Sequence, residues 1–332
     1  MNPEKVLITG ASGFVGWHLI KRAKERGWQI HAAVRPSSKT DAIKPYVDRF
    51  IYLNYEDSFQ LEEVIKENAY TLIIHAAAMT RAKTLDELIK VNSDYTINLL
   101  RAATTSPALK RFVYISSLAA VGPVSYEGRA ITEDNPQRPL TIYGESKKHS
   151  EERIFQEFIG QNITILRPTA VFGPKEKDLF ILFDTFNKGL DPYIGRKPQK
   201  LSFIYVDDLV QAILKAGEDR RQGTFSYNLS DGKVYSRYDM ADNYKRVFHK
   251  RLFRFHVPYF LVQWVAAIFQ FAYKNSKHMP VIYPERLKEL TAENWSCDIS
   301  LAKEEIGYNP NYNLDSAIKV TVDWYKNEGW LK

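Results

Sequence analysis

Thr9-Gly10-Ala11-Ser12-Gly13-Phe14-Val15-Gly16 (TGASGFVG) is the stretch whose reading decides the fold. Its three glycines stand three apart, directly after the apolar run Lys5–Thr9 (KVLIT) and directly before the amphipathic stretch Phe14–Arg26. A glycine pattern alone is weak evidence. Strand, glycine turn and helix in this order open a βαβ unit, and that context marks a dinucleotide-phosphate loop. Gly10 permits the tight turn, Gly13 lets the backbone approach a pyrophosphate, and Gly16 lets the helix pack closely on the strand. The loop and helix start, with Ser12, Phe14 and Val15, then present N–H donors to the phosphates.

Outward from the loop, short apolar runs alternate with longer amphipathic ones. Gln29–Arg35, Phe50–Leu53, Thr71–Ala77, Phe112–Ser116 and Thr164–Arg167 read as further strands. Helices are expected over Phe59–Asn68, Leu85–Thr104 and Tyr143–Ile159, and Gly27 caps the first helix. Regular strand–helix alternation predicts an α/β Rossmann fold, a doubly wound parallel sheet with ligands at the carboxyl ends of its strands. Beyond Pro174 the pattern loosens and prolines multiply, which predicts a smaller, partly discontinuous C-terminal substrate cap. Ser202–Leu214 (SFIYVDDLVQAIL) reads as a strand-to-helix return to the main domain. The expected division is 1–174 plus about 201–230 for the dinucleotide domain, and 175–200 plus about 231–332 for the cap.

Composition narrows the function classes. Among 332 residues, Lys and Arg exceed Asp and Glu by 46 to 39, but the excess is spread along the chain and forms no nucleic-acid-binding pattern. The single Cys297 excludes an internal disulfide and reads as a packing residue in a reducing, cytoplasmic setting. No metal-ligand cluster, signal peptide or spanning helix is expected.

The end of the second strand discriminates between cofactors. An acid there would hold the ribose 2′-hydroxyl of NAD, but the sequence runs His31-Ala32-Ala33-Val34-Arg35-Pro36-Ser37-Ser38-Lys39. Arg35, with Ser38 and Lys39 near, suits a 2′-phosphate, which favours NADP and leaves NAD as the alternative. Tyr143 and Lys147 (YGESK) stand four apart and share a helix face. A nearby ammonium is expected to lower the tyrosine pKa, fitting it to exchange a proton with a substrate oxygen. Ser117, or its neighbour Ser116, ends the fifth strand and is the candidate to hydrogen-bond that oxygen.

These pieces resemble the extended short-chain dehydrogenases/reductases, the NAD-dependent epimerase/dehydratase superfamily. The resemblance rests on TGASGFVG, HAAA at His75–Ala78, VNSDYTINLLRAA at Val91–Ala103, FVYISSLAAVG at Phe112–Gly122, YGESK, LRPTAVFGP at Leu166–Pro174, FIYVDDL at Phe203–Leu209, and WSCDISLAKEEIGYNP at Trp295–Pro310. It implies a Ser117, Tyr143, Lys147 triad, with Asn92 supporting the lysine and an active-site water. It implies that Ala76, Ala77 and Ala78 line the cofactor groove, that Asn54 and Tyr55 meet the adenine, and that Pro168 and the residues after it, including Val171, flank the nicotinamide. Family members usually carry Asp where Asn54 stands. It also implies a homodimer through the helices near 85–104 and 143–159. His75 reads as packed and hydrogen-bonded, and Asp207 and Asp208 as helix caps.

Nucleotide-sugar members of the family tend to have Asn where this chain has Ala170, and Arg near Leu201-Ser202-Phe203. Their absence, with VRPSSK and LSFIYVDDL, resembles the dihydroflavonol-4-reductase-like and 3-beta-hydroxysteroid-dehydrogenase-like branch. The resemblance implies an NADP-dependent carbonyl/alcohol oxidoreductase acting on a hydrophobic small molecule. A nucleotide-sugar epimerase or dehydratase with tightly held NAD is the first rival, and a non-catalytic NADP sensor the second. The apolar run Leu252–Tyr273 has three readings: a pocket lining, a core helix, or, with Lys245, Arg246, His249, Lys250, Arg251 and Arg254, peripheral membrane contact across 245–273.

Overall fold

The computed structural model describes residues 3–273, 276 and 283–331. Strands β1 (Lys5–Thr9), β2 (Gln29–Ala33), β3 (Arg49–Ile51), β4 (Leu72–His75), β5 (Arg111–Ile115) and β6 (Ile163–Pro168) are joined by helices α1 (Phe14–Glu25), α2 (Ser58–Asn68), α3 (Leu85–Ile89), α4 (Tyr95–Thr104) and α5 (Ile142–Glu157). Then follow β7 (Ala170–Phe172), α6 (Phe180–Asn187), β8 (Leu190–Ile194), β9 (Lys200–Leu201), β10 (Phe203–Tyr205), α7 (Val206–Glu218) and β11 (Thr224–Leu229). The chain continues through β12 (Tyr235–Ser236), α8 (Asp239–Phe248), β13 (Phe253–Val257), α9 (Tyr259–Ala272), α10 (Pro284–Thr291), α11 (Ser300–Ile306) and α12 (Leu314–Asn327).

Seven strands form one sheet in the order β11-β6-β5-β4-β1-β2-β3, every pair parallel. This is the doubly wound order with one added edge strand, and its switch point lies between β1 and β4. Strand periodicity explains the two-sided core. Val6, Ile8, Leu72 and Ile74 point toward α1 and α7, where Leu19, Ile20, Leu209 and Ile213 meet them. Leu7, Ile73, Phe112 and Tyr114 point the other way, onto Leu61 and Ile65 of α2, Ile97 and Leu100 of α4, and Ile154 of α5. A third, aromatic core holds the cap together around Phe172, Phe183, Phe186, Tyr205, Tyr244 and Tyr325.

Several details depart from the sequence expectations. The seventh strand, β11, was not anticipated. β10 pairs with β7 in a separate two-stranded ladder, so Ser202–Leu214 returns to the main domain through α7 alone. Asp207 and Asp208 sit in the first turn of α7 but do not cap it. Asp207 binds Arg22 at 2.8 Å, and Asp208 accepts the backbone N–H groups of Asn311 and Tyr312 at 2.8 and 3.1 Å. The stretch expected as cap also returns to the sheet, since Cys297, Ile299, Ala302 and Tyr308 pack in the α1–α7 core. The helix over 85–104 is interrupted by a π-helical turn, Lys90–Asp94.

The apolar run Leu252–Tyr273 divides into β13, which pairs in parallel with β8, and α9. Leu252 packs on the cap core and β13 is mostly half-buried, but neither the pocket-lining nor the core reading fits α9. Ala266 alone is buried along α9, and the large side chains point into solvent.

Candidate active site

The phosphate loop closes against the switch point. Gly10 has φ +67°, and a Cβ there would stand 2.6 Å from the Ala76 backbone, so only glycine lets β1 turn beside β4. Gly13 caps α1 without a side chain, leaving the helix N-terminus open to an anion. Thr9, which sequence reasoning passed over, fixes this geometry. Its Oγ1 accepts the Ala77 N–H at 3.1 Å and pairs with His75 Nδ1 at 2.8 Å, while His75 Nε2 pairs with Thr96 Oγ1 at 2.9 Å. Burial pushes His75 down to about 3, so it is a neutral strut.

A cleft of about 550 Å³ opens above this junction. Gly10, Ser12, Gly13, Arg35, Ser38, Asn54, Tyr55, Ala76, Ala77 and Ala78 all line it, with Met79, Val91 and Tyr95. Arg35 is its single charged residue, and no carboxylate faces the cavity. The Arg35–Ser38 turn is held by Ser38 N donating to Arg35 O at 2.9 Å and Arg35 N donating to Ser38 Oγ at 3.2 Å. Tyr55 stacks on Tyr95 with ring centres 5.3 Å apart. Asn54 Oδ1 accepts the Glu56 N–H at 3.2 Å, so the side chain shapes its own turn. Of the residues expected at the cofactor, Lys39 is exposed outside the cleft. The Phe14 and Val15 side chains pack onto the cap and sheet cores, which leaves their backbone N–H groups at the helix start. The glycine clearance and helix N-terminus fit a dinucleotide pyrophosphate, and the cleft has room for the nucleoside.

The carboxyl end of β5 delivers the candidate chemistry. Ser117 starts a short 3-10 turn, and its Oγ accepts the Ala119 N–H at 3.1 Å and hydrogen-bonds Tyr143. Ser116 points the opposite way. It is buried and donates to Glu151, which also takes Arg167 Nη2 at 2.7 Å and Gln137 Nε2 at 2.5 Å. The choice left open between the two serines therefore falls on Ser117, and the Ser116 hydroxyl does not reach the cofactor cleft.

Thr141 caps α5 by accepting the Gly144 N–H, which aims Tyr143 and Lys147 along one face. Lys147 is buried, and its Nζ donates to Ile115 O at 2.8 Å and to the Tyr114 hydroxyl at 3.2 Å. Burial pushes its pKa down to about 7. Burial likewise pushes Tyr143 up to about 12, against the lowering influence of the Ser117 hydrogen bond. The depression of Tyr143 expected from the ammonium is reversed: desolvation of the phenolate sets the direction, and the Glu289 charge adds to it. Asn92 meets Lys147 through Tyr114, whose hydroxyl accepts from the lysine and lies 3.5 Å from the Asn92 carbonyl. From the π-helical turn the Asn92 side chain clips the Met79 backbone, accepting its N–H at 2.7 Å and donating to its carbonyl at 2.8 Å, and it donates to Ser146 Oγ at 2.9 Å. It is a positioning residue that ties the loop after β4 to α5.

Two adjoining hollows extend from this point into the cap. One of about 140 Å³ lies against Tyr143, and one of about 330 Å³ lies against Ser117, Pro168 and Val171. The larger is walled by Leu118, Leu179, Leu201, Phe203, Leu290 and Trp295, with Glu176, Asp178, Arg286 and Glu289 also lining it. An Arg81–Asp178 ion pair at 2.6 Å ties the loop after β4 to the cap beside the hollow at Tyr143. These charged residues gave no signal in sequence, being scattered between 81 and 289.

Fold and site together define a dinucleotide-binding Rossmann enzyme with serine, tyrosine and lysine gathered at the carboxyl end of β5. The chain belongs to the NAD dependent epimerase/dehydratase family, whose pattern matches residues 6–230, and it is an oxidoreductase of that family. It is similar to a UDP-glucose 4-epimerase of Vibrio cholerae, 27% identical with 96% of this chain and 95% of the relative covered. It is also similar to a decarboxylating sterol-4-alpha-carboxylate 3-dehydrogenase of Candida albicans, 25% identical with 98% of each chain covered. Among solved structures, the UDP-glucose 4-epimerase of Thermotoga maritima shares the fold with a TM-score of 0.77 at 20% identity, covering 98% of this chain and 99% of that one.

Proposed function

We propose that the enzyme interconverts a carbonyl and an alcohol on a hydrophobic small molecule, using NADP. The observation that carries this reading is the charge of the substrate side. The 330 Å³ hollow has three carboxylates (Glu176, Asp178 and Glu289) against one cation, Arg286, over an apolar wall. Arg286 is already paired with Glu289 at 3.0 Å, and Asp178 with Arg81 at 2.6 Å. Among the described residues such a hollow offers no unpaired cation to a nucleotide diphosphate, and its apolar wall accepts an uncharged body. Ala170 and Leu201–Phe203 add no group that grips phosphate. Arg35, facing a cofactor cleft without carboxylates, supports NADP over NAD.

A reduced nicotinamide dinucleotide bound in the cleft supplies the hydride. Tyr143 is a phenol at neutral pH and donates its proton to the oxygen that gains charge, or takes one back in the oxidative direction. Ser117 orients that phenol and offers a second hydrogen bond to the same oxygen. In its ammonium form Lys147 has two N–H donors engaged and keeps a third for a ribose hydroxyl. A homodimer through α4 and α5 completes the reading.

Thermal-shift titration with NADPH, NADH, ketones, aldehydes, sterols and UDP-sugars tests the assignment, since a ligand raises the midpoint according to its affinity. NADPH and an apolar carbonyl compound are expected to stabilise. Selective stabilisation by a UDP-sugar together with NAD would overturn it in favour of a nucleotide-sugar epimerase. Tyr143→Phe is expected to lower kcat by about 100- to 10,000-fold while keeping the NADPH shift. Near-normal turnover would remove Tyr143 from the mechanism.

A further inference from the structure

α9 runs for 14 residues, YFLVQWVAAIFQFA, without one charged side chain; Gln263 and Gln270 are its only polar ones. Trp264 is 71% exposed and Phe271 81%, and with Phe260, Ile268, Leu261, Val265 and Phe269 they form one exposed apolar arc, while buried Ala266, half-buried Val262 and the two glutamines occupy the other half of the helix. Among the described residues, α9 packs chiefly on α10. The exposed apolar arc spans about half the helix circumference. A second copy or a partner helix would cover one stripe of that arc and leave the rest wet, whereas the hydrocarbon of a leaflet covers the whole arc.

Length and charge agree with a leaflet. At 1.5 Å per residue α9 is about 21 Å long, short of the ~30 Å hydrocarbon core. No helix among the described residues is long and apolar enough to cross a membrane. Tyr259 and Tyr273 stand at its two ends, the residue type that favours the headgroup boundary.

The cations nearby have separate fates. Lys245 and Arg254 are engaged by Asp191 and Asp242, and Arg246 by Asp315, so the basic cluster apparent in the sequence is largely neutralised. Arg251 and Arg196 are exposed and form no ion pair among the described residues. Arg196 follows β8, whose Ile194 pairs with Val257 two residues before α9, so its charge lies at the root of the apolar helix.

We propose that α9 inserts into one leaflet of an anionic lipid bilayer, with Arg196 and Arg251 against lipid phosphates. The helix beneath it, α10, supplies Arg286, Glu289 and Leu290 to the substrate hollow, so insertion holds that crevice close to the membrane surface. Attachment is independent of which substrate the enzyme turns over.

Flotation of the purified chain with phosphatidylcholine vesicles containing 30% phosphatidylglycerol, and with phosphatidylcholine alone, tests this. Wild type is expected to float with the anionic vesicles and less with the neutral ones. Trp264→Asp with Ile268→Asp places two charges in hydrocarbon and should lower partitioning by about 100-fold or more. That variant's melting midpoint and NADPH shift should match wild type, since α9 lies outside the catalytic and cofactor-binding residues. Arg196→Ala with Arg251→Ala should reduce binding to anionic vesicles toward the neutral level. No flotation at low salt, or equal flotation of the Asp variant, overturns the proposal. A wild-type dimer in vesicle-free light scattering that the Asp variant dissociates would overturn it too, assigning α9 to a second copy.

Discussion

Lys147→Met is expected to make the protein more stable at neutral pH and inactive. The wild-type amine is 1% exposed, and burial lowers its pKa from an ordinary 10.5 to about 7. The unfolded chain therefore takes up a proton that the folded one resists, throughout the window from about 7 to 10.5. At pH 7 that difference weakens folding by about 4 kcal/mol, and by pH 9.5 the penalty falls to about 1 kcal/mol. Methionine has a similar shape and no charge, but it strips the Ile115 carbonyl of its 2.8 Å donor. Leaving that acceptor bare costs about 2 kcal/mol. The net gain at pH 7 is about 2 kcal/mol, or ~3 °C in Tm for a chain of this length. The assay is differential scanning calorimetry of both proteins without ligand, from pH 7 to 9.5. Wild-type stability should rise relative to the variant across that range, until the variant's advantage is gone at the upper end. A Tm difference that stays constant with pH, or a variant less stable at pH 7, would refute the reasoning that burial sets the amine's protonation.

Arg35→Ala should weaken NADPH about 10- to 100-fold and leave NADH little changed, as read by fluorescence titration; equal loss for both would remove Arg35 from phosphate recognition. Glu151→Gln leaves Arg167, 5% exposed, as an uncompensated buried charge, and should cost about 3–5 kcal/mol in urea unfolding. Gly16→Ala places a Cβ 2.2 Å from the Gly10 carbonyl, so the phosphate loop must move. It should cost about 1–3 kcal/mol and abolish the NADPH thermal shift.

Much of the site was legible because its pieces are local. TGASGFVG follows a strand and opens a helix, so backbone geometry alone prescribes those glycines. Tyr143 and Lys147 are one helical turn apart, and the 3.6-residue period puts them on one face wherever the helix goes. The seven-strand sheet followed from alternation, apart from β11, whose run Thr224–Leu229 (TFSYNL) carries too few strongly apolar residues to announce an edge strand.

What stayed hidden depends on contacts between distant segments. Which serine faces Tyr143 turned on Glu151, 35 residues away and held by Arg167, capturing Ser116. A π-helical turn aims the Asn92 side chain at Met79, and its backbone carbonyl meets Lys147 through the Tyr114 hydroxyl. Tyr143 and Lys147 were predicted to influence each other by charge. Burial, which no sequence spacing encodes, moved both pKa values toward the neutral forms. The apolar run ending at Tyr273 was visible from the start, but hydropathy states only that it avoids water. The tertiary structure decided that α9 stays outside the protein cores, because among the described residues it packs chiefly on α10 and its large apolar side chains are exposed. The sequence by itself determined the sheet, the phosphate loop and the Tyr–Lys pair, all fixed by short-range periodicity and backbone sterics. The tertiary structure decided the charge of the substrate hollow, the protonation of its catalytic groups and the exposure of α9, all fixed by long-range packing.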